Sequence, residues 1–325
     1  MKHSVQFLLA LSVGAIVLEL FLRLTGIAQP LWTEIDLEKG KLFKSNEELV
    51  FYNEGFSLLE SDENGFVSFK SNKEGARRFN FYGDSYSEAH QVFKRHHFLH
   101  HLSTKSIPYD CVNLSMSAFD FSDSYARYLI FDSILEADHS FFFLSDDDFD
   151  QDDTDPFIPT VHENEDDLAL FVLDKNALQS PKIKWLLPLL RNSALLHLAR
   201  SAYRQVESGN TIEILFDGLL TSPEVNTPKS IEISPVIQKI LTNWNRRNCT
   251  IVYRGKRPMP KEYRNLLQAY QIPLIDLEQA LRRQLKGKVK DLYFHKGTNT
   301  SGHWNVEAHA LIADILYEKI SRRFK

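Results

Sequence analysis

A chain of 325 residues, 43% hydrophobic and 25% charged, has globular composition and room for one large α/β domain with insertions or for two smaller domains, which excludes the disordered and fibrous classes. A net charge of -5 leaves no basic footprint, so no nucleic-acid partner is expected. Two cysteines are too few for a disulfide scaffold or a cysteine zinc site.

The first element is apolar. "MKHSVQFLLALSVGAIVLELFLRLTG" has a basic start, runs apolar from Val5 to Leu18 and continues past Glu19 to Leu24. About 20 such residues cross a bilayer when the acidic residue sits at an interface. Lys2, with few positive charges beyond Arg23, keeps the N-terminus in the cytoplasm and puts the rest of the chain on the exported side, periplasmic or extracellular. Residues 1–25 are therefore read as a single-pass membrane anchor. A cleaved signal peptide ending near Ala28 is the rival, and it exports the remaining chain equally.

Residues 26–75 read as an irregular lead-in with short strands, where "DENGFVSF" carries an Asn64-Gly65 turn beside an alternating run. A domain over 76–325 follows. Its apolar runs recur as "FNFYG" ending at Gly83, "CVNLSM" (111–116), "SFFFL" (140–144), "IEILF" (212–216), "CTIVY" (249–253) and "IPLIDL" (272–277), with helical patterns between most of them. Short continuous apolar strands separated by helices predict a parallel sheet covered on both faces. Function in such sheets gathers at the carboxyl ends of the strands. Cys111 and Cys249 each open one of these runs and read as buried thiols, with a single disulfide as the alternative.

An insertion over about 151–210 interrupts the rhythm. In "PKIKWLLPLLRNSALLHLARSAYR", Trp185, Leu186, Leu189, Leu190, Leu195 and Leu198 fit amphipathic helices broken near Pro188. They read as packing on the main domain, with a lid or a lipid-facing surface as alternatives. Just before them, "SDDDFDQDDTD" holds seven aspartates between 146 and 155, but a calcium loop starting at Asp146 needs Gly at 151 and Glu at 157 and finds Gln151 and Phe157. A solvated acidic loop is the expectation. "HHFLHH" sets His96 with His100 and His97 with His101 at chelating i, i+4 spacing. It equally fits a helix with Phe98 and Leu102 toward the core, which is the reading adopted. No metal or cofactor is expected.

The chemistry-bearing pattern is "FYGDSYSEA". A nucleophilic serine needs exposure, a rigid strand behind it and an imidazole to take its proton. Gly83 permits a sharp turn, and Ser85 falls at the entry to the next helix, where its own N–H can face a developing oxyanion. The imidazole is sought in "TSGHWNVEAHALIADILYEKI". Asn305 is a helix N-cap there, and Ala308, Ile312, Ile315, Leu316 and Ile320 form a buried stripe. His303 then stands in the loop before the final helix, whereas His309 lies inside it and reads as structural.

On these stretches the chain resembles the SGNH/GDSL hydrolase family. "FYGDSYSEA" looks like the family's first block, "CVNLSMSAFD" its second, "FFFLSDDDF" its third and "GHWNVEAHALIADIL" its last. The resemblance implies a three-layer α/β/α sandwich with a flavodoxin-like sheet, Ser85 as nucleophile and His303 as base. It also implies an oxyanion hole from the amides of Ser85 and Ser115 and from the third-block position, Asp147. The similarity is greatest to membrane-anchored members that act on acyl groups of cell-surface polysaccharides. Three positions depart from the family pattern. Ser115 replaces a glycine. Thr300 and Ser301 stand where the acid supporting His303 is expected, leaving Asp291 or Glu307 as substitutes. Asp147 replaces an asparagine donor worth roughly 3 to 4 kcal/mol, and an ionised carboxylate about 3 Å from an oxyanion would repel it by roughly 5 kcal/mol at an effective dielectric of about 20.

The functional expectation is an exported, membrane-anchored serine esterase or O-acyltransferase acting on acyl, most simply acetyl, esters of a surface glycan. Its partners would be an acylated carbohydrate and a membrane-bound acyltransferase. The alternative is a catalytically impaired domain of the same fold that binds glycan or scaffolds that acyltransferase.

Overall fold

The computed structural model describes residues 2–25, 32–51, 57–107, 109–149, 158–164, 167–171, 189, 192–196, 198–199, 233–244, 248–255, 258–286, 289–295 and 300–324. The chain divides into two compact units, Met1–Glu34 with Lys175–Ser230 and Ile35–Asp174 with Ile231–Lys325.

The first unit holds helix α1 (Lys2–Thr25), whose residues His3–Thr25 are long and apolar enough to cross a membrane; a signal sequence would have the same character. Glu19 is the one acid in its apolar run, and its carboxylate accepts from the Ser193 hydroxyl and from the amides of Ala194 and Leu195, each at 2.9 Å. Those amides open a short helical stretch, so the acid in α1 serves as a helix cap. Trp185, Leu186, Pro188 and Leu190 of the amphipathic reading lie outside the described residues, as does "IEILF" (212–216).

The second unit is built on a six-stranded sheet. Its strands are β1 (Val67–Phe69), β2 (Arg77–Gly83), β3 (Tyr109–Asn113), β4 (His139–Leu144), β5 (Cys249–Tyr253) and β6 (Leu274–Asp276), in the order β6-β5-β4-β2-β3-β1. The strands β2 to β6 are parallel, and β1 pairs antiparallel with β3 at the edge. Counting the parallel strands alone from β2, the order is 2-1-3-4-5, the flavodoxin-like doubly wound arrangement, with its switch point between β2 and β4. The lead-in thus supplies a strand of the main sheet. At its Asn64-Gly65 turn, Asp62 Oδ1 accepts from the amides of Asn64 and Phe66, and Gly65 adopts φ +75° with Phe43 O only 2.4 Å from where a Cβ would stand.

Central position explains the composition of the strands. All six residues of β4 and all five of β5 are buried, because neighbouring strands and covering helices leave neither face to water. Alternation then sorts the aromatic side chains. Tyr82 and Phe142, stacked at 5.0 Å, meet Tyr128 of helix α4 (Phe121–Leu135) on one face, with helix α5 (Pro235–Thr242) and Trp244 beside it. Phe81 and Phe141, stacked at 5.1 Å on the other face, lie beside Phe98 of helix α3 (Phe98–Ser103). On that face α3 packs against the last helix, α8 (Val306–Arg323). Helices α6 (Lys261–Ala269) and α7 (Leu277–Gln284) accompany the β5–β6 side. α4 starts on a reciprocal cap, Asp120 Oδ1 taking the Asp123 amide at 2.8 Å and Asp123 Oδ2 the Asp120 amide at 3.3 Å.

The first described part of the insertion is not helical: Thr160–Asn164 and Asp167–Phe171 form an antiparallel hairpin. Val161 is buried in the core with α4, so one face of the hairpin finds an apolar neighbour. "HHFLHH" enters helix α3 with Phe98 and Leu102 buried, as the adopted reading expects; His97 is its N-cap, Nδ1 accepting the Leu99 amide at 3.1 Å, and burial pushes its pKa down to about 3. Both thiols are free and buried. His309 is buried inside α8 and its Nδ1 accepts the Phe98 amide, a structural role.

Candidate active site

β2 runs buried to its end and stops at Gly83, whose φ of +149° is one that side-chain-bearing residues rarely adopt. A Cβ there would lie 2.5 Å from Ser87 Oγ, 2.8 Å from Phe143 O and 3.0 Å from Phe143 Cβ. Asp84 follows as N-cap of the single-turn helix α2 (Ser85–Glu88), its carboxylate accepting the Tyr86 amide at 3.0 Å. Ser85, half-buried, therefore leaves the sheet at the carboxyl end of a central strand beside the switch point.

From a position 218 residues later, His303 Nε2 lies 2.7 Å from Ser85 Oγ. The loop that carries this imidazole is held at several points. Gly302 N–H donates to Tyr293 O (2.9 Å), Asn305 N–H to Leu292 O (2.8 Å), Asn305 Nδ2 to Asp291 O (2.7 Å) and His295 Nε2 to the carbonyl of His303 itself (3.1 Å). Trp304, fully buried, pins the next residue, and its carbonyl accepts from Gln91 Nε2 at 3.2 Å. Asn305 caps α8 by accepting the Ala308 amide at 2.9 Å. Tyr86 stands against the imidazole, with ring centroids 4.4 Å apart, and Tyr293 and Trp304 pack edge-on to Tyr86.

The remaining candidates fall elsewhere. Thr300 and Ser301 form a two-residue ladder with His295 and Phe294. Asp291 is exposed, and among the described residues no hydrogen bond or ion pair reaches its carboxylate; its carbonyl is what the His303 loop uses. Glu307 is exposed in the first turn of α8. Among the described residues the Ser85 amide has no acceptor, whereas the Ser115 amide donates to Asn113 Oδ1 at 3.1 Å. Asn113 also donates through Nδ2 to Ser87 O at 2.9 Å, which ties the end of β3 to α2. Asp147 is exposed at the start of a short 3-10 turn, while its neighbour Asp148 is buried.

Asp148 belongs to a charge cluster the sequence reading missed. Arg254, immediately after β5, is buried and pairs through Nη2 with Asp84 and, at 3.4 Å, with Asp148. Its amide extends the β4–β5 ladder by donating to Leu144 O at 2.8 Å, and its guanidinium lies 4.4 Å above the Tyr86 ring. Asp148 Oδ2 also accepts from the Ser145 amide at 2.6 Å and the Ser145 hydroxyl at 2.9 Å. Burial pushes both carboxyls up against the pull of the single guanidinium, Asp148 to about 7. With one cation between two carboxylates, a proton on one of them cancels the buried excess charge. Glu88, three residues beyond Ser85, is a second buried acid; it accepts from the amide of Ser117 at 3.1 Å and from the Ser117 hydroxyl, holding the turn after β3. A strand-tip arginine and a cap aspartate are legible only once β2, β4 and β5 are known to be neighbours.

No protein-family model matches the chain, and no curated protein is similar to it. Among solved structures it is similar to a lipase/acylhydrolase from Enterococcus faecalis at 10% identity, covering 77% of this chain and 97% of that one with a TM-score of 0.39. It is likewise similar to a member of the lipolytic G-D-S-L family from Veillonella parvula at 10% identity, with 76% and 100% of the two chains covered and a TM-score of 0.35. A GDSL-like lipase from Parabacteroides merdae gives 10% identity, 78% and 99% coverage and a TM-score of 0.37.

Proposed function

We propose that the chain is an exported, membrane-anchored serine esterase or O-acyltransferase working on acyl, most simply acetyl, esters of a surface glycan. The observation that carries this reading is the 2.7 Å approach of Ser85 Oγ to His303 Nε2 at the carboxyl end of the central strand. In the reaction Ser85 Oγ attacks the ester carbonyl as its proton passes to His303 Nε2. The Ser85 amide, in a preorganised turn, stabilises the oxyanion of the tetrahedral intermediate. His303 then returns the proton to the departing sugar oxygen, leaving an acyl-serine. Water or another sugar hydroxyl, deprotonated by the same imidazole, attacks that acyl group and frees the serine. Hydrolysis and transfer differ only in this acceptor. The aromatic wall of Tyr86 and Tyr293 beside His303 suits the apolar face of a sugar ring, and α1 supports the anchoring.

A second reading, a glycan-binding or scaffolding domain for a membrane acyltransferase, is favoured by the Ser115 amide being taken by Asn113 and by the absence of a carboxylate at Thr300 and Ser301. Labelling the full chain in detergent micelles with a fluorophosphonate, beside Ser85→Ala, separates the two. Labelling that needs Ser85 is the expected result. No labelling, with p-nitrophenyl acetate also left intact, would leave the scaffold reading in place.

A further inference from the structure

We infer that Arg254 is a positioning residue for Ser85 and His303, acting by gripping the chain on both sides of the serine at once. Ser85 begins a helix of one turn, which by itself does not fix a side chain, since so short a helix has almost no cooperative stability. What holds it is its neighbours. The residue before, Asp84, is ion-paired to the Arg254 guanidinium; the residue after, Tyr86, has its ring under the same guanidinium at 4.4 Å. Tyr86 in turn backs the His303 imidazole, with centroids 4.4 Å apart. A single side chain thus connects the nucleophile's turn with the ring against which the base rests.

The anchorage of Arg254 suits this task. Its backbone is part of the sheet, through the 2.8 Å bond to Leu144 O, so the guanidinium is aimed by β5 and β4 rather than by a loop. Asp148 also pairs with Nη2, at 3.4 Å, and is itself fixed by two bonds from Ser145 at the tip of β4. The guanidinium is delocalised and planar, so it can pair with carboxylates at its edge and stack on a ring with its face. The path runs from three central strands through Asp84 and Tyr86 to the two reacting groups.

This inference rests on the esterase reading above, and the experiment keeps the two apart. Saturation kinetics of fluorophosphonate labelling, on the full chain in micelles, separate the probe's binding constant from the maximal labelling rate. Arg254→Met should lower the maximal rate about 100-fold, the scale of a 1 Å misplacement of reacting groups, with little change in the binding constant. Arg254→Lys should stay at least about tenfold below wild type, because an ammonium cannot pair and stack together. In Arg254→Ala, guanidinium chloride below denaturing concentration should restore labelling saturably while sodium chloride at equal ionic strength does not. Since Arg254→Met leaves two carboxylates buried together, Arg254→Met/Asp148→Asn is measured beside it. A wild-type maximal rate in either folded variant overturns the inference, as does a loss of labelling fully accounted for by the unfolded fraction. Failure of every Arg254 variant to fold overturns it in favour of a purely structural role. Absence of labelling in the wild type removes the esterase reading and this inference with it.

Discussion

Replacing Gly83 by alanine perturbs the turn before Ser85 by one methyl group. At φ +149° any side chain strains the backbone, which costs about 1 to 3 kcal/mol where the surroundings enforce the conformation. The new Cβ would also meet Ser87 Oγ at 2.5 Å, which can rotate away, and Phe143 O at 2.8 Å, which cannot, because β4 is paired on both sides. Relieving such a contact costs about another 1 to 3 kcal/mol. The expected total of about 2 to 6 kcal/mol is a large part of the 5 to 15 kcal/mol available to a typical domain. Urea unfolding of the full chain in micelles, followed by tryptophan fluorescence, reads the stability. Fluorophosphonate labelling of the folded fraction reads the site. Because Ser85 lies two residues on, labelling should fall by more than the folded fraction does. A variant within about 0.5 kcal/mol of wild type, the ordinary scatter of neutral substitutions, that also labels at the wild-type rate would refute the steric account of this turn.

Other predictions concern charge, capping and the anchor. Asp148 has its folded pKa raised to about 7, so between about pH 4 and 7 the folded state binds more protons than the unfolded one and this group's contribution to stability falls as pH rises. The span, about 3 pH units, bounds the effect at about 4 kcal/mol. Buried His97 and His139, both lowered to about 3, act in the opposite sense below the usual imidazole range, so the quantity to measure is wild type minus Asp148→Asn. That difference should decline from pH 5 to pH 7.5 in urea titrations, and a flat difference would count against a buried, proton-sharing Asp148. Asn305→Ala removes the α8 cap and the tie to Asp291 O, and should cost about 1 to 2 kcal/mol. It should also slow labelling, because His303 sits on the same loop; an undiminished rate at reduced stability would detach the cap from the site. Asn113→Ala strips partners from the buried amide of Ser115 and the carbonyl of Ser87, for an expected loss of about 2 to 3 kcal/mol by chemical denaturation. Finally, the full chain should stay in the pellet after alkaline carbonate extraction of membranes, and release into the supernatant would favour a cleaved leader over an anchor.

Periodicity and end signals along the chain determined a good deal of this protein. The apolar runs at Gly83, 111–116, 140–144, 249–253 and 272–277 all overlap strands of one sheet, and in the central β4 and β5 every residue is buried, because a parallel strand covered on both faces must be continuously apolar whatever its neighbours are. Asn305 and the stripe from Ala308 to Ile320 define α8 for the same kind of reason, since caps and a 3.6-residue period act within a few residues of themselves. The turn at Gly83 and the pairing of Ser85 with His303 were legible as motif words. Tertiary structure alone decided the rest. Strand order brought the ends of β2, β4 and β5 together and so assembled Asp84, Arg254 and Asp148, a cluster whose members stand far apart in sequence. Burial then separated exposed Asp147 from buried Asp148, and put the Ser115 amide on Asn113. Contacts across the sheet depend on where distant segments meet, and the free energy of a charge depends on how much water is left around it. Neither quantity is a property of local sequence.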